Sequence, residues 1–148
     1  MKLCSACLLG INCRYNGVSK PNEKIIALSK SEVLIPVCPE QLGEQATPRP
    51  NAEIKGGDGL DVLNNKVKVI EPDGNDVSSN FVCGAEEVLK IAKLLGIKEA
   101  ILKQRSPSCG SGQIYDGTFS GTIKKGDGVT AALLKLNGIE ILSEDDFK

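Results

Sequence analysis

Ser79-Asn80-Phe81-Val82-Cys83-Gly84-Ala85-Glu86-Glu87-Val88-Leu89-Lys90-Ile91-Ala92-Lys93-Leu94-Leu95-Gly96 leads into Ala100-Ile101-Leu102-Lys103 and then into Ser106-Pro107-Ser108-Cys109-Gly110-Ser111-Gly112. Phe81, Ala85, Val88, Ala92 and Leu95 recur every three or four residues, which predicts a helix over Ser79–Leu95 with one apolar face. Gly96 suits a left-handed C-terminal cap. The short apolar run after it predicts a buried strand, Ala100–Lys103, and the Ser/Gly-rich stretch predicts a loop at that strand's carboxyl end. Helix, strand, loop is the unit of an α/β fold.

The same unit recurs along the chain. Lys2–Cys4, Val33–Val37 and Ile139–Leu142 read as further short, buried strands, with helices predicted over Asn22–Ser31 and Gly128–Leu136. Asp127 is the expected N-cap of the latter, and Asn137-Gly138 its stop. Strands alternating with helices predict an α/β fold with a mainly parallel, Rossmann-like sheet flanked by helices. Two hairpin insertions are expected: Leu60–Ile70 turning at Asn64-Asn65, before a Pro72-Asp73-Gly74 turn, and Ile114–Ile123 turning near Asp116-Gly117. With 148 residues, 41% hydrophobic and 25% charged, one domain spanning 1–148 is expected.

Eighteen basic and nineteen acidic residues give a formal charge of −1, without the basic excess that bulk phosphate-backbone binding needs. No apolar stretch reaches the roughly 18 residues of a membrane span. Lys2 and a short apolar run broken by Cys4, Ser5 and Cys7 make a poor signal peptide, so a cytoplasmic location is expected. Structural disulfides are rare there, and six cysteines point to metal or redox chemistry. The chain has no histidine. That excludes Cys-His and Ser-His nucleophile pairs, a histidine base and mixed Cys/His zinc sites, leaving carboxylates, hydroxyls, lysines, thiols and water to move protons.

Cys7, Cys38 and Cys109 each follow the carboxyl end of a predicted strand. In a parallel sheet those ends share the edge where ligands bind, so the thiols are expected to converge on one site. Soft thiolates suit zinc or an iron–sulfur cluster. Cys4-x-x-Cys7 also permits a redox pair, disfavoured because Leu8-Leu9-Gly10 shows no helical periodicity, or half of a zinc site closed by Cys4 or Cys13. Cys83, inside the long helix, reads as a small buried hydrophobe, and Cys13 stays undecided. Glu40, two residues past Cys38 in a predicted loop, is a candidate general base. Ser5, Ser106, Ser108 and Ser111 are candidate hydrogen-bond donors, Arg49 and Lys103 can orient a carbonyl or anion, and Gly126-Asp127-Gly128 resembles an anion-binding helix start.

Ser5-Ala6-Cys7-Leu8-Leu9-Gly10, Cys13-Arg14-Tyr15-Asn16-Gly17, Pro36-Val37-Cys38-Pro39-Glu40-Gln41-Leu42-Gly43, Pro48-Arg49-Pro50, Ser106-Pro107-Ser108-Cys109-Gly110 and Tyr115-Asp116-Gly117 together resemble the thiouracil desulfidase family, over Lys2 to Glu144. The resemblance implies a [4Fe–4S] cluster held by Cys7, Cys38 and Cys109, with one iron not ligated by protein. It implies non-redox removal of sulfur from a thiolated pyrimidine, with Glu40 and either Ser106 or Ser108 as catalytic groups. The implied partners are the iron–sulfur assembly machinery and the small-molecule substrate, with thiolated tRNA left open because longer relatives are linked to it. The alternative from a different class is a non-catalytic zinc or iron–sulfur module whose shell Cys4 closes.

Overall fold

The computed structural model describes residues 1–148. Four strands form the central sheet: β1 (Lys2–Ser5), β2 (Leu34–Val37) and two later strands, Glu99–Leu102 and Glu140–Ser143. Counting two intervening hairpins, β3 (Glu53–Lys55) with β4 (Lys68–Ile70) and β6 (Gln113–Tyr115) with β7 (Ile123–Lys125), those later strands are β5 and β8. The central order is β2-β1-β5-β8 and every pairing in it is parallel. The expected α/β architecture is therefore present, with strand limits shifted by one residue at some ends.

Alternation along the strands builds a core on each face. Leu3, Ala100 and Leu102 face one side, packed with Val88 and Ala92 of α4 (Ser78–Leu95) and with Ala131 and Leu134 of α5 (Val129–Leu136). Cys4 and Ile101 face the other, against Ile25 of α1 (Glu23–Leu28). A third cluster, including Ile54, Val69, Phe81, Ile114 and Val129, seals the insertions against α4 and α5. No helix is long and apolar enough to cross a membrane.

The long helix ends as its glycine requires. Gly96 is left-handed at φ 67, its N–H bonds to Lys93 O, and the Ile97 N–H reaches Ala92 O at 2.8 Å. This Schellman closure turns Ile97 into the core and leaves Leu95, expected on the buried face, 45% exposed. Helix α1 is shorter than expected because the Ser29 and Ser31 hydroxyls bond back to the Ile26 and Leu28 carbonyls.

Three local expectations are corrected. Leu60–Ile70 is not one hairpin: Gly59–Leu63 is helix α3, started by a capping box between Asp58 and Asp61, and β4 pairs with β3 instead. The N-cap of α5 is Gly128 rather than Asp127, whose Oδ1 accepts from Gly112 N and Lys135 Nζ. A 3-10 helix, Ala6–Leu9, follows β1, and a four-residue helix α2, Pro39–Leu42, follows β2. The second hairpin does pair β6 with β7, its connection braced by Asp116 and by buried Glu53, which accepts from Gly117 N.

Helices α2 and α4 touch backbone to backbone. A Cβ at Gly84 would lie 1.9 Å from Pro39 O, and one at Gly43 would lie 2.1 Å from Asn80 O. Gly84→Ala must therefore push α2 outward, and it should lower the stability by about 1–3 kcal/mol. Urea unfolding would register this as an earlier midpoint, whereas Glu86→Ala, on the exposed face of α4, should leave the midpoint in place.

Candidate active site

The parallel register fixes where the thiols go. Ser5 stands beside Val37, and Cys4 beside Ile101, so β1, β2 and β5 end at a common edge. Cys7 follows in the 3-10 helix, Cys38 is the extended N-cap of α2 (with Pro39 starting the helix), and Cys109 sits on the loop after β5. All three line one cavity of about 310 Å³, together with Glu40, Ser106 and Ser108. Cys13, undecided from sequence, lines it too. Cys4, within β1, is fully buried and off the cavity wall, and Cys83 stays on α4.

The Cys109 loop is held from two sides. Ser106 Oγ accepts from the N–H groups of Ser108 and Cys109, both at 3.1 Å, which folds the turn. Gly128, Val129 and Thr130 at the start of α5 donate their N–H groups to Gly110 O, Pro107 O and Ser108 O at 2.8–2.9 Å. The Gly126-Asp127-Gly128 segment resembles an anion-binding helix start in sequence. Its helix instead spends those amides on the cysteine loop, and Gly128 cannot carry a Cβ because one would lie 2.5 Å from the Ser108 carbonyl carbon.

Glu40 lies in the first turn of α2, not in a loop. Its Oε1 accepts from Arg49 Nε at 3.1 Å and its Oε2 from Ser108 Oγ at 3.3 Å. Ser108 Oγ is also 3.0 Å from Ser106 Oγ and 3.6 Å from Cys109 Sγ. Arg49 is thus committed to Glu40, while Lys103 lines the cavity but is paired to Glu144 at 2.7 Å. Ser5 contributes from below, its Oγ accepting from Lys103 N at 2.9 Å. Ser111 stays off the wall, its N–H bound to Gln104. Both tyrosines of the chain, Tyr15 and Tyr115, line the cavity, and each falls in a motif already quoted.

Without a metal, the site favours protonated thiols. Burial pushes Cys109 up to about 12 despite hydroxyl donors from Ser5 and Ser108. Burial, then the neighbouring Cys109, pushes Cys4 to about 12. Cys13 is pulled down by its hydrogen bond with Cys38, but the Cys7 thiol and burial outweigh this and leave it at about 11. Its partner Cys38 rises well above the thiol range, first through that hydrogen bond and then through burial. Cys4 is therefore the opposite of the low-pKa thiol a CxxC redox pair needs, even though a helical turn does follow it.

A family model described as 2-thiouracil desulfurase matches residues 3–146. The chain belongs to this family. It is 49% identical over 146 residues to the uncharacterized protein YbbK of Bacillus subtilis (strain 168), covering 99% of this chain and 97% of that one. It also matches a solved structure, that of the [4Fe-4S]-dependent thiouracil desulfidase TudS, with a TM-score of 0.87 and 41% identity, covering 98% of this chain and 91% of that one. Desulfurase-family membership and this likeness agree with the fold and resemblance read from sequence.

The raised thiols set a pH dependence for the metal-free protein. Between 9.0 and about 12, an unfolded Cys4 has lost its proton while the folded one keeps it. The unfolded state then binds fewer protons, so stability falls as pH rises through that window and is unaffected by this group below it. Thermal unfolding of the metal-free protein should show a midpoint that declines above pH 9, and Cys4→Ala should flatten the decline.

Proposed function

We propose that this chain is an iron–sulfur-dependent desulfidase that converts the C=S of a thiolated pyrimidine to C=O and releases sulfide. The observation that carries this reading is the meeting of Cys7, Cys38 and Cys109 with the Glu40–Ser108 pair on one cavity wall. Membership of the 2-thiouracil desulfurase family supports the substrate class, and the likeness to TudS supports the cluster. Six free cysteines support a reducing compartment, the cytoplasm, with the cluster delivered by iron–sulfur assembly machinery.

The donor set fits such a cluster. No histidine competes with the three thiols, and these come from three segments, a 3-10 helix, a helix N-cap and a loop, that leave the cavity open between them. No three Cys, Asp or Glu side chains stand close enough to hold a single metal ion. A cluster asks less of them, since each thiolate takes a different iron. The alternative zinc or electron-transfer module loses Cys4, which faces the core, and keeps only Cys13 as a fourth thiol on the wall.

When bound by Cys7, Cys38 and Cys109, a [4Fe–4S] cluster supplies a Lewis-acidic iron without a protein ligand for the substrate sulfur. The remaining work falls to side chains. Water adds its oxygen to the thiocarbonyl carbon, and Glu40 takes the proton at Oε2, the oxygen that Arg49 leaves free. Ser108, 1% exposed and with its Oγ within reach of both Glu40 and Cys109, relays that proton towards the departing sulfide, and the proton of the added hydroxyl follows by the same route as C=O forms. The balance is C=S plus H₂O to C=O plus H₂S, with no electrons exchanged. Of the two candidate serines we assign catalysis to Ser108, since the Ser106 hydroxyl already holds two backbone amides.

Anaerobically reconstituted protein should contain iron and acid-labile sulfide, and it should release sulfide from 2-thiouracil without dithionite or any other reductant. Colourless protein with stoichiometric zinc, or a strict need for reductant, would refute the reading. Alanine at Cys7, Cys38 or Cys109 should prevent stable cluster uptake, while Cys83→Ala retains it. Glu40→Gln should keep its iron and lose turnover by about 10²–10⁴-fold, the usual worth of a general base. Glu44→Gln, at an exposed position outside the cavity wall, is the control and should match wild type.

A further inference from the structure

The Arg49 side chain lies on the cavity wall at only 4% exposure, and its guanidinium is turned almost wholly to partners inside the protein. Nε donates to Glu40 Oε1 at 3.1 Å. Nη1 donates to Ala46 O at 3.2 Å and to Thr47 Oγ1 at 3.1 Å, and Nη2 donates to Cys13 O at 2.9 Å. Four of the five N–H donors an arginine carries are therefore used inside the protein. The Arg49 backbone N–H adds a bond to Tyr15 O at 2.8 Å.

These bonds orient the carboxylate. Its two oxygens are chemically equivalent, so what holding one of them fixes is the plane and direction of the group: with Oε1 on Arg49, the second oxygen, Oε2, is directed at Ser108 Oγ. The same guanidinium anchors the Cys13 carbonyl, which also accepts from Cys38 Sγ at 3.6 Å. Glu40 and the Cys13 carbonyl are thus registered to each other by one planar group. Lysine has the charge but not the fork, and it cannot make these bonds together.

We infer that Arg49 is a positioning residue for the desulfuration step: it acts through Glu40, fixing Oε2 on the reacting atoms, and makes no contact with substrate. The inference rests on the reading of Glu40 as the proton acceptor. Misplacement of a catalytic group by about 1 Å costs on the order of 10²-fold, and that sets the scale of the expected effect.

The test is a double-mutant cycle on anaerobically reconstituted full-length protein, with kcat and KM for 2-thiouracil and the iron and acid-labile sulfide content of each variant. Arg49→Ala should keep its cluster and its KM while kcat falls by about 10²-fold. In the Glu40→Gln background, the same substitution should cost nothing more, because a group acting only through Glu40 has no one left to act on. Arg49→Lys should load its cluster and still lose kcat by about tenfold or more, since charge without the fork does not align the carboxylate. Losses that multiply in the double variant, or full turnover in Arg49→Lys, overturn the inference while leaving Glu40 as the base. Failure of both Arg49 variants to hold iron also overturns it, because the residue would then be securing the cysteine segment. Wild-type turnover in Glu40→Gln removes the base itself, and the inference with it.

Discussion

Parallel backbone pairing of β1 between β2 and β5 is the constraint on which the site depends. Its hydrogen bonds set Ser5 level with Val37 and Cys4 level with Ile101, so three chain segments leave the sheet at the same edge and in the same direction. An antiparallel neighbour would send its exit to the opposite edge. With that register, thiols far apart in sequence need only short local structures to converge: a 3-10 helix for Cys7, a helix N-cap for Cys38, and a serine-folded turn for Cys109. The start of α5 then locks the last of these by donating its first amides to the turn's carbonyls. Groups that would otherwise be the orphan donors of a helix end become the support of a ligand loop.

What the sequence disclosed follows from which signals are local. The β5 run and the α4 stripe are legible because burial repeats at fixed spacing, and strand–helix alternation leaves few topologies other than a parallel sheet. The meeting of the three strand-end thiols followed from that topology, whereas Glu40, expected in a loop beside Cys38, stands instead in the first turn of α2. The short helices were not. α2 has four residues and leans on α4 through Gly43 and Gly84, a contact that no periodicity within Pro39–Leu42 announces. α3 did carry a local mark, Asp58 three residues before Asp61, but Asn64-Asn65 competed as a hairpin turn, and the capping box prevailed. Leu95 illustrates a subtler failure: helical spacing assigned it to the core, yet the left-handed Gly96 redirects the chain so that Ile97 fills that position.

Cys13 and Arg49 escaped a firm reading for a related reason. Each belongs to a loop, and a loop's inward side is set by partners distant in sequence. Arg49 becomes a buried cation only because Glu40, Ala46, Thr47 and Cys13 surround it, and a Pro-Arg-Pro sequence alone is equally consistent with a solvated turn. Lys103 gives the contrasting case. It was named beside Arg49 as a group to orient a carbonyl or anion, and Glu144, the first residue of a 3-10 helix over Glu144–Phe147 that follows β8, takes it out of that role.

The pocket is costly to the fold that contains it. A nearly buried arginine–glutamate pair gives up much of its hydration, and the attraction between the partners seldom recovers more than that loss. Buried thiols beside one another resist ionisation, so the metal-free site holds protons that must leave before sulfur can ligate. Neither arrangement would persist for stability alone. Metal binding reverses the second cost, because a cation among the sulfurs favours the thiolates that burial disfavours, and free energy released on binding is gained by the folded state. The first cost has no such compensation from a metal. Its return is geometric: a carboxylate with one oxygen fixed and one aimed, held on a helix that rests against α4 without side chains between them. The arrangement sits where the N-cap cysteine and the carboxylate share one short helix, so a small displacement of α2 would shift both together.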